Sequence, residues 1–253
     1  MEIYSIIPAR SNSKGIPSKN IKPLNGFPLL AYSIAASKLT KVISRTIVST
    51  NSPEIAEMAK KYGAEAPFLR PAKYCKDSSN DLDAIGHALK WLEKNESSIP
   101  DLIVYLRPTT PLREPAVLAK AISELRHSPG ATSLRSGHAV AEPPHKMFQI
   151  LKTGFFGGFF PNFPRPEYHG IPRQFFPQTY HPNGYVDIVR SNFIKRNNFK
   201  RCFGEKIKLF VTPFVIEIDH PEDFEYLEYR SKKIPGPLYN YLVKNFFKKM
   251  ISL

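Results

Sequence analysis

Cysteine is nearly absent from the 253-residue chain, which holds only Cys75 and Cys202. Two cysteines allow at most one bridge, the lesser reading, and neither thiol sits at the spacing of a metal-ligand pair. The reading is two reduced thiols in a cytoplasmic protein. No apolar stretch approaches the roughly 20 residues of a membrane span. The opening MEIYSIIPAR lacks a basic n-region and a long apolar core, so no secretory signal is expected. Acids are scarce as well: Asp and Glu total 22 against 36 Lys and Arg, a formal charge of +14. That surplus points to anionic partners, whether nucleic acid, acidic lipid, or small phosphates and carboxylates. No internal repeat or low-complexity tract is visible. Neither a Ser-His-Asp nor a Cys-His arrangement can be assembled.

What the chain does have is a hydrophobic fraction of 42%, enough for a full core. Strand and helix patterns alternate through its first half. Residues 3–8 and 45–51 are β-branched runs, and 101–109 is a third strand. Helical spacing marks 27–39, 52–63, 79–95 and 114–128, with Ser52 as N-cap, Pro53 in the first turn and Gly63 as the stop. Such alternation predicts an α/β fold with a mainly parallel sheet covered on both faces. Ligands of such sheets bind beyond the carboxyl ends of the strands. Arg10, Lys19, Arg107 and Arg113 are therefore expected to face one crevice. After about residue 138 the pattern breaks. Residues 142–189 are dense in Pro, Gly and aromatics, which suits an arm packed on a second subunit better than a disordered insert. Strands are expected again at 183–190 and 208–219, then a helix at 220–233.

The loop IIPARSNSKGIPSKN (6–20) follows a strand and gathers Arg10, Lys14 and Lys19. It is neither a Walker loop nor a Gly-x-Gly-x-x-Gly turn. Backbone N–H groups of such a loop can cradle phosphate while Arg10 and Lys19 neutralise it, although a solvated loop fits the charge equally well.

Seven segments in order resemble the acylneuraminate cytidylyltransferase family, which includes the CMP-sialic acid synthetases. They are the loop and its continuation to AYSI, IVSTNSPEIAEMAKKYGAEAPFLRPA, LDAIGHAL, YLRPTTPLR, PHKMF, PRQFFPQTYHPNGYV and IEIDHPEDF. The resemblance covers roughly residues 3–228. It implies a three-layer, Rossmann-like nucleotide-diphosphosugar-transferase fold with a dimerisation arm at 140–182. It also implies a CTP-dependent enzyme that joins CMP to the anomeric hydroxyl of a nonulosonic sugar acid and releases pyrophosphate. Carried onto this chain, Arg10, Ser13, Lys19, Asn20 and Arg70 would bind the nucleotide. Arg107, Lys146, Arg173 and Asn183 would meet the sugar acid, with Arg10, Lys19 and Lys146 in catalytic roles. Fixed cations suit the chemistry, because attack at the α-phosphorus develops charge on its oxygens and on the leaving pyrophosphate. Glu217 and Asp219 match an Asp-x-Asp that holds Mg2+. On a strand, residues two apart share a face.

Departures from the family pattern cluster. Glu217 replaces Asp, which bears on the metal and the activity; near the expected sugar, Arg107 replaces Gln, Asp187 replaces a Tyr, and SSNDLDAIGHAL replaces an Asp-Thr-Ala-Ser-Ser run. They argue for a sugar other than N-acetylneuraminate, such as a legionaminate or pseudaminate; neutral drift explains them nearly as well. Three alternatives stay open: a 3-deoxy-octulosonate cytidylyltransferase, a catalytically silent CTP- or sugar-binding homologue, and a nucleic-acid binder, for which no motif speaks. His87, flanked by apolar residues, reads as a packed histidine. The extension 234–253 has two apolar i, i+4 rows and a basic side. Docking on the protein's own surface or on a homodimer partner is the first reading, and peripheral membrane contact the second.

Overall fold

The structure is a computed structural model that describes residues 1–12 and 15–250. Ser13 and Lys14 lie outside the described residues. The chain runs β1 (Ile3–Pro8), β2 (Pro23–Leu24), β3 (Phe27–Pro28), α1 (Leu29–Leu39), β4 (Arg45–Ser49), α2 (Pro53–Lys61), α3 (Asp81–Glu96), β5 (Leu102–Tyr105) and α4 (Pro115–Arg126). It continues β6 (Ser133–Ala139), β7 (Phe148–Ile150), β8 (Phe156–Gly158), β9 (Tyr180–Arg190), α5 (Ser191–Arg196), β10 (Ile207–Val211), α6 (Pro221–Lys233) and α7 (Pro237–Met250).

Alternating side chains of β1 feed two cores. Ile3 and Ile7 join the cluster under α1, α4, α6 and α7, whereas Tyr4 and Ile6 join the cluster under α3 and α5. The sheet order is β10-β6-β9-β5-β1-β4. β1 pairs in parallel with β4 and β5, and β10 in parallel with β6. β9 alone runs antiparallel, between β5 and β6. The result is three layers with the parallel strands' carboxyl ends at one edge. Caps set the helix starts there. Ser52 accepts the Ile55 N–H at 3.3 Å, and Asn80 forms a capping box with Asp83.

Two strands differ from the sequence pattern. β6, SLRSGHA, has few apolar side chains and carries no strand signal. Its burial comes from lying between β9 and β10. β10 stops at Val211, because Pro213 offers no N–H, and 212–219 is irregular. That segment is pinned by Thr212 N–H on the Gly137 carbonyl (2.9 Å) and Ile218 N–H on the Thr109 carbonyl (2.8 Å).

The arm occupies 140–179, since 180–182 already pair in β9. It links two neighbouring antiparallel strands and holds the β7–β8 hairpin. His145 stacks between Phe160 (4.3 Å) and Phe176 (4.5 Å), giving the arm an aromatic centre of its own. Ile150, Phe155, Phe156 and Phe175 remain largely exposed.

The C-terminal helix uses its apolar rows internally. Leu238 and Leu242 are buried in the main core, Tyr239 meets Phe27 edge-on, and Phe246 packs on Tyr62. Most of the described apolar face is therefore turned inward, as the first reading of this extension expected, while Phe247 stays partly exposed and Ile251 lies outside the described residues. Among the described residues no helix is long and apolar enough to cross a membrane.

Candidate active site

The basic loop leaves β1 at Pro8 and forms one wall of a cleft of about 330 Å3. β5 and the loop after it supply Tyr105, Arg107 and Thr109. The cleft thus lies where the parallel strands end. Arg10, Lys19, Asn20, Arg70 and Arg107 all line it. Asn20 is buried and donates through Nδ2 to the Arg10 carbonyl (2.8 Å), which fixes the loop's curvature. Arg10 reaches the Lys76 carbonyl (2.8 Å) and Asp77 (3.3 Å) across the mouth. Arg70 is buried, with Nε on the Cys75 sulfur (3.1 Å).

Lys19 ties the loop to the acidic segment. Its Nζ donates to the Ile218 carbonyl (2.5 Å) and lies 3.5 Å from Asp219 Oδ1. Two glycines allow that closeness. A Cβ on Gly15 would clash with the Asp219 carbonyl. Gly184, at φ +58°, leaves room for the Glu217 carboxylate, which a Cβ would meet at 2.9 Å. Burial pushes the Glu217 carboxyl above its ordinary range, and the Asp219 charge adds to this against the pull of Arg107 and Arg113. Both carboxylates stand on irregular backbone, so the strand-face argument does not place them; the bond between Ile218 and Thr109 does. Two carboxylates that repel each other beside a polyphosphate-sized cleft fit a divalent cation, with phosphate and water completing its shell. No cluster of three or more His, Cys, Asp or Glu is found among the described residues.

Residues 4–150 match the family described as Cytidylyltransferase. The chain belongs to the cytidylyltransferase family. Its relatives include post-translational flagellin modification protein B of Campylobacter coli, 28% identical over 92% of this chain and 96% of the relative. CMP-N,N'-diacetyllegionaminic acid synthase of Campylobacter jejuni is 28% identical, covering 90% of this chain and 94% of the relative. N-acylneuraminate cytidylyltransferase of Escherichia coli is 36% identical over 88% of this chain, which spans 51% of that longer protein. Among solved structures, a CMP:2-keto-3-deoxy-manno-octonic acid synthetase complexed with CTP superposes with TM-score 0.69 at 14% identity, covering 92% of this chain and 99% of that one. At that identity the likeness speaks for the fold.

Within this cytidylyltransferase, Arg107 is not a free cation. It donates to Asp81 (2.6 Å) and Asp187 (2.7 Å), and its guanidinium lies over the Tyr105 ring. Asp187 is 1% exposed and also takes Arg135 at 3.1 Å. Three of the departures from the family pattern, at 81, 107 and 187, are thus one compensated charge network, which single-residue reading treats as separate changes. Asp81, Asp187 and Arg135 were missed as a unit because they come from three distant elements.

Arg113 does not face the cleft. It is 1% exposed, and its N–H groups go to the carbonyls of Tyr185 (2.6 Å), Arg107 (2.7 Å) and Gly184 (3.2 Å) and to Ser33 Oγ (3.1 Å). Burial pulls the guanidinium down to about 9. Asn183 is buried too, donating to Thr212 Oγ1 (2.6 Å) and accepting the Tyr185 N–H (3.3 Å), so it shapes the backbone at Gly184. Lys146 and Arg173 lie on the arm and do not line the cleft of their own chain; Arg173 lines a separate hollow beside Gln174 and Thr179.

His87 packs against Phe68 and Tyr74 behind the cleft. Burial first, then the charges of Arg70 and Lys73, hold its imidazole below the ordinary range. In the unfolded chain it protonates near 6.5. The unfolded state therefore binds more protons below that pH, so stability is full above it and falls as pH drops. Thermal melts of His87→Phe between pH 6.5 and 5 are expected to decline less steeply than those of wild type.

Proposed function

We propose that this enzyme transfers CMP from CTP to the anomeric hydroxyl of a nonulosonic, sialic-acid-like sugar acid. The observation that carries the reading is the cleft: Arg10, Lys19, Asn20 and Arg70 converge at the strand ends, in a chain whose near-full-length relatives include a CMP-legionaminic acid synthase. The hydroxyl oxygen attacks the α-phosphorus, the bond to the bridging oxygen of the β-phosphate breaks, and pyrophosphate leaves as the hydroxyl proton is lost. Arg10 and Lys19 are positioned to stabilise charge on the phosphates, and Ser13, in the same loop, is offered as a further contact. Glu217 and Asp219 would hold Mg2+. When bound there it supplies Lewis-acid charge for the phosphates. The reliance on CTP suits a cytoplasmic enzyme.

The arm argues for a homodimer. It exposes Ile150, Phe155, Phe156 and Phe175, large apolar side chains of the kind that association buries. Lys146 and Arg173 do not line their own chain's cleft, and the reading assigns them to the cleft of the second copy. Light scattering is expected to give a dimer, and Phe156→Asp a monomer with at least about tenfold lower activity, one decade being about 1.4 kcal/mol of barrier. A monomeric, fully active wild type would end this part of the reading.

Pyrophosphate release from CTP and Mg2+ tests the reaction itself, with N-acetylneuraminate, legionaminate, pseudaminate and 3-deoxy-octulosonate as acceptors. Release with one nonulosonate names the sugar. Release with 3-deoxy-octulosonate alone moves the substrate to the class named for the structural neighbour. CTP binding without turnover on any acceptor makes the chain a binding homologue.

A further inference from the structure

The loop between β5 and α4 has two sides. Arg107, Pro108 and Thr109 line the cleft, whereas Thr110, Leu112, Arg113 and Glu114 line a second cavity of about 370 Å3 on the other side. That size falls in the small-molecule range of about 300–1,000 Å3. Most of the wall is apolar, built from Tyr32, Leu112, Val117, Val215 and Leu227. The C-terminal extension closes it with Ile234, Gly236, Pro237, Leu238 and Tyr239. The extension therefore does more than cover α1: it supplies one wall of this cavity, which opens to solvent beside Ile234.

One hydroxyl and one N–H in this apolar wall lack partners among the described residues. Thr110 is 1% exposed, and its hydroxyl has no hydrogen-bond partner among the described residues. Buried hydroxyls are ordinarily satisfied, and an orphan calls for an explanation. Arg113, equally buried, makes no ion pair among the described residues. Four of its five N–H groups are committed to neutral oxygens, and the fifth, on Nη1, has no partner there. Arg230 adds a second cation to the lining, against one acid, Glu114. The charges of Glu217 and Asp187 reach Arg113 only at longer range, so the group that suits this wall is an anion in direct contact, with an acceptor to spare for a hydroxyl.

We infer that this cavity is a second binding site, which takes a small amphipathic carboxylate with its acid group at Thr110 and Arg113 and its hydrocarbon against Val117, Val215 and Leu238. The site is independent of the transferase reading, because it shares no lining residue with the cleft. A neutral apolar compound would fill the space but leave Arg113 and the hydroxyl unanswered.

Calorimetry on the full chain tests this, with decanoate as the probe and decanol as its uncharged control. Decanoate is expected to bind once per chain, at least tenfold more tightly than decanol, and equally well in saturating CTP. Ile234→Trp, at an exposed lining position (71%), is expected to abolish binding. Thr110→Val is expected to weaken decanoate at least tenfold while melting no lower than wild type, since it removes an unsatisfied hydroxyl. No saturable binding, displacement by CTP, equal affinity for decanol, or binding untouched by both substitutions would each overturn the site. A Thr110→Val protein that melts well below wild type would overturn its premise.

Discussion

Arg107→Gln is expected to destabilise the protein by about 3 kcal/mol, the low end of the cost of breaking a buried ion pair. The reason is Asp187, which is 1% exposed and accepts from Arg107 at 2.7 Å. Once the guanidinium is gone, a buried carboxylate keeps only Arg135, at 3.1 Å. Asp81, at the first turn of α3, loses its partner as well. The double variant Arg107→Gln/Asp187→Asn removes both charges together and is expected to recover most of the loss. Urea denaturation of the four proteins gives the coupling directly. Strictly additive losses would show that the network does not hold this edge together. The same cycle bears on specificity, because Asp81 and Arg107 both line the cleft. The network is neutral as a whole, so Arg107 offers a sugar carboxylate much less attraction than its lone charge suggests.

Lys19→Ala is expected to cost at least about 2 kcal/mol in transition-state stabilisation, which is about 30-fold in kcat/KM. Arg10→Ala belongs to the same class. Melting temperature should fall much less than activity with either, because the partner carboxylates, Asp219 and Asp77, are more than half exposed and such pairs contribute little. That split separates a phosphate-binding role from a structural one. Wild-type rates in Lys19→Ala would remove the loop from the reaction. An equal fall in melting temperature and activity would instead make Lys19 a strut between the loop and Ile218.

The alternation of β-branched runs with amphipathic helices made the parallel half of the sheet legible, because strand burial there is written in the strand's own side chains. It failed at β6, whose Arg135, Ser136 and Gly137 owe their burial to neighbours. The nucleotide end of the site was legible for a similar reason: Arg10, Lys19 and Asn20 come from one loop after one strand. Arg113 was misplaced, since charge alone cannot say which side of a loop a side chain takes. Its buried setting is made by carbonyls from residues 107, 184 and 185, and no local pattern announces it. The arm's length and aromatic content were visible, but its stacked centre of His145 between Phe160 and Phe176 joins residues too far apart in sequence to be read locally.

β9 runs against its neighbours, and from this its history can be read. A strand entering from the carboxyl edge lets the chain leave the sheet after β6, wander, and return without crossing either face. Residues 140–179 are therefore free to lengthen or be rewritten while every hydrogen-bonded register in the sheet stays fixed. The loop after β1 enjoys no such freedom, clamped as it is against Asp219 and Ile218. Descent with modification in this architecture should accordingly hold the loop after β1 constant and vary residues 140–179, so that change accumulates in a single insertion.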